Sequence, residues 1–397
     1  MNKITIITLS LLFSARLGAT DLLVNNTGAP NTYATLAAAI NAANDGDRIL
    51  LEPNIPIFES VSIGKSLEIV STAEDTAFTI NGTVSIIANA NKEIKLVGAK
   101  VNGLSFSSGT ADSSSLCKFY FIDSELIGAA GIDSRNKYVE TNVLFCLSLD
   151  RHVRFDYGKI IGSDIRSFIS NVNGKIIAND IDSLESKLGG SYLVANNSFL
   201  YSNSSQSSNS QHQLIINGSI NSTNTNYIIN NRFYSYSTLS GASSGYNANI
   251  HINSSANNSE ISILNNSFWL RNDYYGYNNI YKGSHPSINV LYNNFYNYQG
   301  SSYRGVSGSN NFMNYSLYFN NSSSHATATD EGHPGIRYFD IDMSRNDIGI
   351  YGGPYSWNNY WGWGSSTGKG VVYDLDMPFE YWTGQSATIN AKAAHVK

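Results

Sequence analysis

Six segments of this 397-residue chain repeat one short template: two or three aliphatic residues, polar residues, then an apolar one. Ile160–Ile165 (IIGSDI) and Ile176–Ile181 (IIANDI) are the first copies. Leu193–Phe199 (LVANNSF), Ile228–Phe233 (IINNRF), Ile263–Phe268 (ILNNSF) and Val290–Phe295 (VLYNNF) follow, each closing on Phe. Their phenylalanines are 34, 35 and 27 residues apart. A recurrence of roughly 20 to 50 residues marks an architecture of stacked units. In a parallel β-solenoid, equivalent Phe side chains stack inside the core about 4.8 Å apart. Asn at the turn tolerates left-handed backbone angles, and stacked Asn amides hydrogen-bond along a ladder. A β-sandwich calls for hairpin turns every ~8–12 residues instead, and gives no reason for a recurring Asn-x-Phe.

The remaining elements fit that reading. Thr32–Asn44 (TYATLAAAINAAN) predicts the one convincing helix, with Leu36, Ala39, Ile40 and Ala43 on a single face. It leads through Asp45-Gly46-Asp47 into the strand Arg48–Leu51, as a cap over the first open end of a solenoid does. From residue 48 onward short strands alternate with Gly, Asn and Ser turns. Past Trp357 the texture changes. Trp357, Trp361, Trp363 and Trp382, with Tyr360, Tyr373 and Tyr381 among them, predict an aromatic appendage over 357–397, packed on the last coil.

Composition excludes several classes. Only 14% of residues are charged, against about 25% in an average domain, and Asn, Ser, Gly and Tyr take their place. Between Ser186 and Thr329 there are seven charged residues. A net charge of −5 without Lys/Arg clusters argues against nucleic-acid binding. An aromatic content of 12% argues against disorder. Lys3, the apolar run Ile4–Phe13 and Leu17-Gly18-Ala19 predict a signal peptide over residues 1–19. That run is too short to span a bilayer, and no other segment is expected to cross one. The expectation is an exported bacterial protein, secreted or held at the cell surface. Cys117 and Cys146 leave two readings open: one disulfide, or two buried thiols in neighbouring strands. A metal site needs more ligands than these two supply.

On three stretches the chain resembles the right-handed parallel β-helix proteins of the pectate-lyase-like superfamily. They are TYATLAAAINAANDGDRILLEPN (residues 32–54), the Asn-Asn-x-Phe ladder, and DIDMSRNDIGIYGGP (Asp340–Pro354), which is similar to the closing segment of many secreted β-helix proteins. The resemblance implies an all-β, single-domain right-handed β-helix over residues 20–356, with its helical cap at about 32–44. It also implies a search for chemistry on acidic polysaccharides, which the family's enzymes cleave.

A glycosidase of this kind needs paired carboxyls flanking the scissile bond. No Asp-Asp pair occurs, and the one Gly-His, Gly332-His333, is followed by Pro334. A lyase needs a cation to neutralise the uronate carboxylate and a basic side chain to remove the adjacent proton. Residues 133–185 are the region rich enough in charge. Arg154, Lys159 and Arg166 are the candidate bases there, and Asp164 and Asp180, at one template position, the candidate ligands for Ca²⁺. The bland alternative is a solvated patch of ion pairs.

A second constellation is aromatic: Tyr274, Tyr275, Tyr277, Tyr281, Tyr296 and Tyr298, with Trp357 and Trp361, among Asn, Ser and Gly. Tyr joins a flat apolar face to a polar tip, which suits a glycan groove. Asp340, Asp342, Ser344, Asn346 and Asp347 have a spacing that would wrap Ca²⁺, but no EF-hand continuation follows, so backbone hydrogen bonding in a turn is expected of them. His212, His251 and His285 are expected to be strand or turn residues. The leading expectation is a module that binds polysaccharide or a cell-surface glycan, or serves as an adhesive or structural part, without catalysis or cofactor. The rival is a polysaccharide lyase acting by β-elimination. Oligomeric state is left open.

Overall fold

A computed structural model describes residues 19–25, 29–73, 76–146, 149–166, 169–182, 186–188, 191–203, 212–216, 226–237, 248–252, 260–271, 278–282, 288–296, 303–304, 308–313, 329–340, 342–361, 369–376 and 390–396. Among these the chain is all-β apart from one α-helix and two 3₁₀ turns. Parallel pairing builds sheets of nineteen, seven and four strands, and an antiparallel pair, Lys369–Asp376 with Asn390–Val396, stands apart.

Each circuit of the later chain lays down three strands. Tyr192–Ala195, Asn226–Ile229, Ile261–Leu264, Ile288–Leu291 and Gly308–Ser309 stack in register. Ser198–Asn203, Arg232–Ser237, Ser267–Arg271, Asn294–Tyr296 and Phe312–Met313 stack beside them as part of the seven-stranded sheet. Ser186–Leu188, His212–Ile216, Ala248–Ile252, Asn278–Lys282 and Tyr303–Arg304 form the third pile. In earlier circuits one long strand serves two piles: Ile169–Ile177 pairs with both Ser186–Leu188 and Tyr192–Ala195. These stacked parallel sheets are compatible with a β-helix.

The period holds the interior together. Phe199, Phe233, Phe268 and Phe295 stack with centroids 4.7, 4.9 and 4.9 Å apart and planes within 10° of parallel. All four are buried, each contributing about 1.5–3 kcal/mol by leaving water. In the shorter circuits Ile165 and Ile181 occupy the Phe slot.

Beside the rings runs an amide ladder. The backbone N–H of Asn179, Asn197, Asn231, Asn266 and Asn293 donates to Oδ1 of the next Asn in the series, ending on Asn311, each at 2.9 Å. Each Nδ2 donates to the same Oδ1 and to a carbonyl of the preceding rung, as Asn231 does to Val194. Successive ladder residues are 16, 18, 34, 35, 27 and 18 positions apart, starting from Ser163. The Phe spacings therefore give only the long circuits. Rungs of 16 to 18 residues keep the same register and precede and follow them.

The residue before each ladder Asn turns the corner in the left-handed region: Ala178, Asn196, Asn230, Asn265, Tyr292 and Asn310 have φ of 53–55°. Asn is cheap there, whereas other side chains lose roughly 1–2 kcal/mol. Packing offsets the cost for Ala178 and for Phe145 (φ 55°), which belong to a second apolar cluster outside the sheets.

The helix spans Leu36–Ala42, inside the expected 32–44, because capping groups bound it. Thr35 Oγ1 accepts from Ala38 N–H at 3.1 Å, and the Glu59 carboxylate accepts from Leu36 and Ala37 N–H. Lys65 donates to the carbonyls of Ile40, Asn41 and Ala43, placing a cation at the negative end. Leu36, Ala39 and Ile40 are buried, and the helix packs on the strands Asp21–Val24 and Val61–Ile63.

The segment 340–354 does not close the final coil. Residues 329–340 and 342–361 form a strap that runs back over the corners of earlier rungs. His333 N–H donates to Asn265 Oδ1, and Asn230 Nδ2 donates to the Asp347 carbonyl. Asn196 Nδ2 donates to the carbonyls of Ile350 and Gly352, and Trp361 Nε1 donates to the Ala178 carbonyl. Tyr338, Tyr355, Tyr360 and Trp361 cover an outward apolar row that includes Ile161, Ile177, Ala195, Ile229 and Leu264. The stretch Trp357–Trp361 therefore sits beside the Ala178 rung rather than on the last coil. Cys117 and Cys146 are two free, buried thiols, so no disulfide joins them.

Candidate functional site: the outer face of the seven-stranded sheet

Side chains alternate across a strand, so the residue after each inward Phe faces out. Leu200, Tyr234, Trp269 and Tyr296 follow the four phenylalanines and are register neighbours, with Asp182 preceding them in the same column. The Tyr234 and Trp269 rings lie 4.0 Å apart between centroids, tilted by 42°. Both residues are half-buried.

On the other side of the phenylalanines runs a polar column: Asp164, Asp180, Ser198, Arg232, Ser267 and Asn294. Arg232 Nη2 donates to Ser198 Oγ at 2.8 Å, and its charge acts on Asp180 across that rung. Burial pushes Asp180 above the ordinary carboxylate range, with Arg232 opposing and Asp164 adding to it. Asp182 is raised by burial and by Asp164. The strap borders this column, with Tyr351 close enough to act electrostatically on Arg232. The face is thus a strip along the stacking direction, with carboxyls toward one end and aromatics toward the other.

The sequence-derived charged residues fall on different strands. Arg166 pairs with Asp164 at 3.3 Å and with Asp150 at 3.6 Å. Arg154 is 3.6 Å from Asp133, which Arg135 also holds at 2.6 Å. Burial is the largest single influence on Asp133 and would raise it, but the hydrogen bonds from Arg135 and the charges of Arg135 and Arg154 together hold the carboxyl low. Lys159 is buried on the nineteen-stranded sheet, in register with Lys175. Asp164 and Asp180 are adjacent, as their shared template position predicts. Two carboxylates supply a fraction of the roughly six to eight oxygens Ca²⁺ takes. Among the described residues no group of three His, Cys, Asp or Glu assembles that could hold a metal.

Among the aromatics, Tyr281 packs against His251 in the third pile, with ring centroids 4.9 Å apart and planes tilted by 59°. Tyr296 is the register partner of Trp269 on the next rung. Trp357 and Trp361 stack on each other at 4.9 Å within the strap. Tyr274, Tyr275, Tyr277 and Tyr298 lie outside the described residues, as does His285. Tyr234 and Trp269 were not singled out in the sequence. The signal for them was the position after each ladder Phe, which strand alternation turns outward.

Two further groupings lie in the third pile and in the strap. His212 Nε2 and His251 Nδ1 are 3.0 Å apart, and Ala248 N–H donates to His212 Nδ1 at 3.3 Å. A neutral His212 therefore carries its proton on Nε2 and donates to His251. A metal-ligating imidazole instead donates from its second nitrogen. Burial, and then His251, pulls the His212 pKa down to about 4. In the strap, Asp342 accepts from Ser344 N–H and Oγ–H, and Asp340 accepts from Asp347 N–H and Gly353 N–H, which is the turn role expected of them. Burial raises Asp340 to about 6.

No family model, curated protein or solved structure matches the chain. Among the described residues no helix is long and apolar enough to cross a membrane.

Proposed function

We propose that the chain is an exported right-handed parallel β-helix of the pectate-lyase-like kind, secreted or held at a bacterial cell surface. It binds polysaccharide along the outer face of the seven-stranded sheet, without catalysis. In this reading the Leu36–Ala42 helix caps the first open end and the aromatic C-terminal segment shields the other surfaces. The observation that carries the proposal is the outward pair Tyr234 and Trp269, in register with each other and with Leu200 and Tyr296 on the adjoining rungs. The half-buried rings of Tyr234 and Trp269, with centroids 4.0 Å apart, give a polymer an aromatic surface on this face.

The test is affinity electrophoresis of the full chain in gels containing neutral or uronate polysaccharides, with Trp269→Ala beside it. Retardation that weakens in the variant supports the reading, and unchanged mobility in every gel refutes it. The rival, a lyase, draws on Arg166 standing 3.3 Å from Asp164. Its signature is ultraviolet absorbance from an unsaturated uronate product in the presence of Ca²⁺, lost in Arg166→Ala.

A further inference from the structure

Lys159 is buried on the nineteen-stranded sheet and has no part in the proposed binding face. Strand alternation puts it on the outward side with Ile161, whereas Ile160 joins the interior cluster. By the same alternation Asn142 stands outward with Leu144, and Val143 points in. Asn142 and Lys159 are register partners on the adjacent parallel strands Val139–Leu144 and Val153–Ile161, and both are buried. Strands about 4.8 Å apart put the Asn142 amide within reach of a lysine's four-carbon stem.

Asn142 differs from the buried asparagines of the ladder. In Asn231 both ends of the amide are bonded. Asn142 Nδ2 donates to the Phe119 and Glu140 carbonyls at 3.3 Å and reaches Glu140 Oε1 at 3.4 Å. Its Oδ1, although buried, has no hydrogen-bond partner among the described residues. A buried acceptor left open calls for an explanation beyond packing. Here an electrophilic amide carbon has a carboxylate at its nitrogen and an amine on the next rung. Lys175 follows Lys159 in the same column, so two lysines occupy neighbouring rungs. Like charges there repel, and an amide in place of one ammonium removes a charge held off water.

We propose that Lys159 and Asn142 join spontaneously in an isopeptide bond, with Glu140 carrying the protons. Lys159 Nζ attacks Asn142 Cγ, so that the Nζ–Cγ bond forms and the Cγ–Nδ2 bond breaks. Two of the three ammonium protons pass through the Glu140 carboxylate to Nδ2, which leaves as an ammonium ion. Glu140 ends as it began, and no oxidant or cofactor takes part. Amine and amide exchange slowly as free molecules, and fixing them side by side supplies the effective concentration the step needs. The product staples two neighbouring rungs of the stack.

The experiment is denaturing mass spectrometry of the purified full chain, intact and after trypsin. The expected chain is lighter than its sequence by one ammonia. Its digest contains residues 138–151 joined to residues 155–166, uncut after Lys159. Lys159→Met restores the full mass, and Glu140→Gln, which keeps the shape without the proton carrier, leaves most of the chain unjoined. A parent of full mass that yields 138–151 and 155–159 as separate peptides overturns the proposal, and that outcome needs no variant to fold. An ammonia loss that persists in Lys159→Met overturns it too, since Asn81-Gly82 and Asn173-Gly174 lose ammonia as succinimides. Complete joining in Glu140→Gln overturns the part assigned to Glu140.

Discussion

Replacing Asn231 by Ala removes the centre of the buried amide ladder. Its Oδ1 accepts from the Asn197 backbone N–H and from Asn197 Nδ2, at 2.9 and 3.0 Å. Its Nδ2 donates to the Val194 and Ile229 carbonyls at 3.0 Å and to Asn266 Oδ1 at 2.9 Å. Five bonds are lost, and their partners stay buried with no route to water. At a net of about 0.5–1.5 kcal/mol each, and more for a stranded donor, the substitution costs about 3–5 kcal/mol. Asn311, half-buried at the end of the series, accepts from Asn293 twice and donates to Val290, so Asn311→Ala costs about half as much. Stability is coupled rung to rung in a stack, so the central break is felt by both halves. Urea unfolding of the two variants measures the difference. Asn231→Ala within about 1 kcal/mol of the parent, or no worse than Asn311→Ala, would refute the ladder as a cohesive element.

Three further outcomes follow from the same geometry. Phe233→Ala, emptying a slot between rings 4.7 and 4.9 Å away, is expected to cost about 3–5 kcal/mol by urea unfolding, and Phe233→Leu much less. Gly352→Ala places a Cβ 2.0 Å from the Asp347 carbonyl and 2.7 Å from Asn230 Nδ2, so the strap lifts. A red-shifted tryptophan emission and new protease cuts within 329–361 register it. His212 is held well below an unfolded histidine, whose pKa is about 6.5, so its contribution is complete above that pH and is lost as pH falls toward about 4. The parent should lose about 3 kcal/mol more than His212→Gln between neutral pH and about pH 4, read from urea midpoints.

The interior was legible because its repeat is written in residue type. Stacked Phe and Asn must recur to stay in register, so counting between them exposes the axis. The same logic placed Asp164 beside Asp180 and Lys159 beside Lys175. The short circuits were less visible, since Ile165 and Ile181 fill the Phe slot with an ordinary aliphatic. The strap was illegible for a different reason. Asn230 and Asn196 hold it through backbone carbonyls 117 to 156 positions away, and a carbonyl leaves no trace in residue type. The outward column was hidden because Leu, Tyr, Trp and Tyr share a position without sharing an identity. The richest Tyr run in sequence, 274–298, lies in one stretch of chain, whereas register brings Tyr234 and Trp269 together from separate rungs.

Crosslinking tests the register of the outward column most directly. Tyr234 and Trp269 are direct register partners in neighbouring parallel strands, although 35 positions apart in the chain. Strands about 4.8 Å apart bring such a pair within the Cα range of a disulfide, about 4.4–6.8 Å. The double variant Tyr234→Cys/Trp269→Cys, mildly oxidised and mapped by mass spectrometry, should form that bond. Tyr234→Cys/Leu270→Cys, one residue out of register, should not. Equal crosslinking of both pairs, or of neither, would contradict the column on which the stacked register and the proposed binding face both depend.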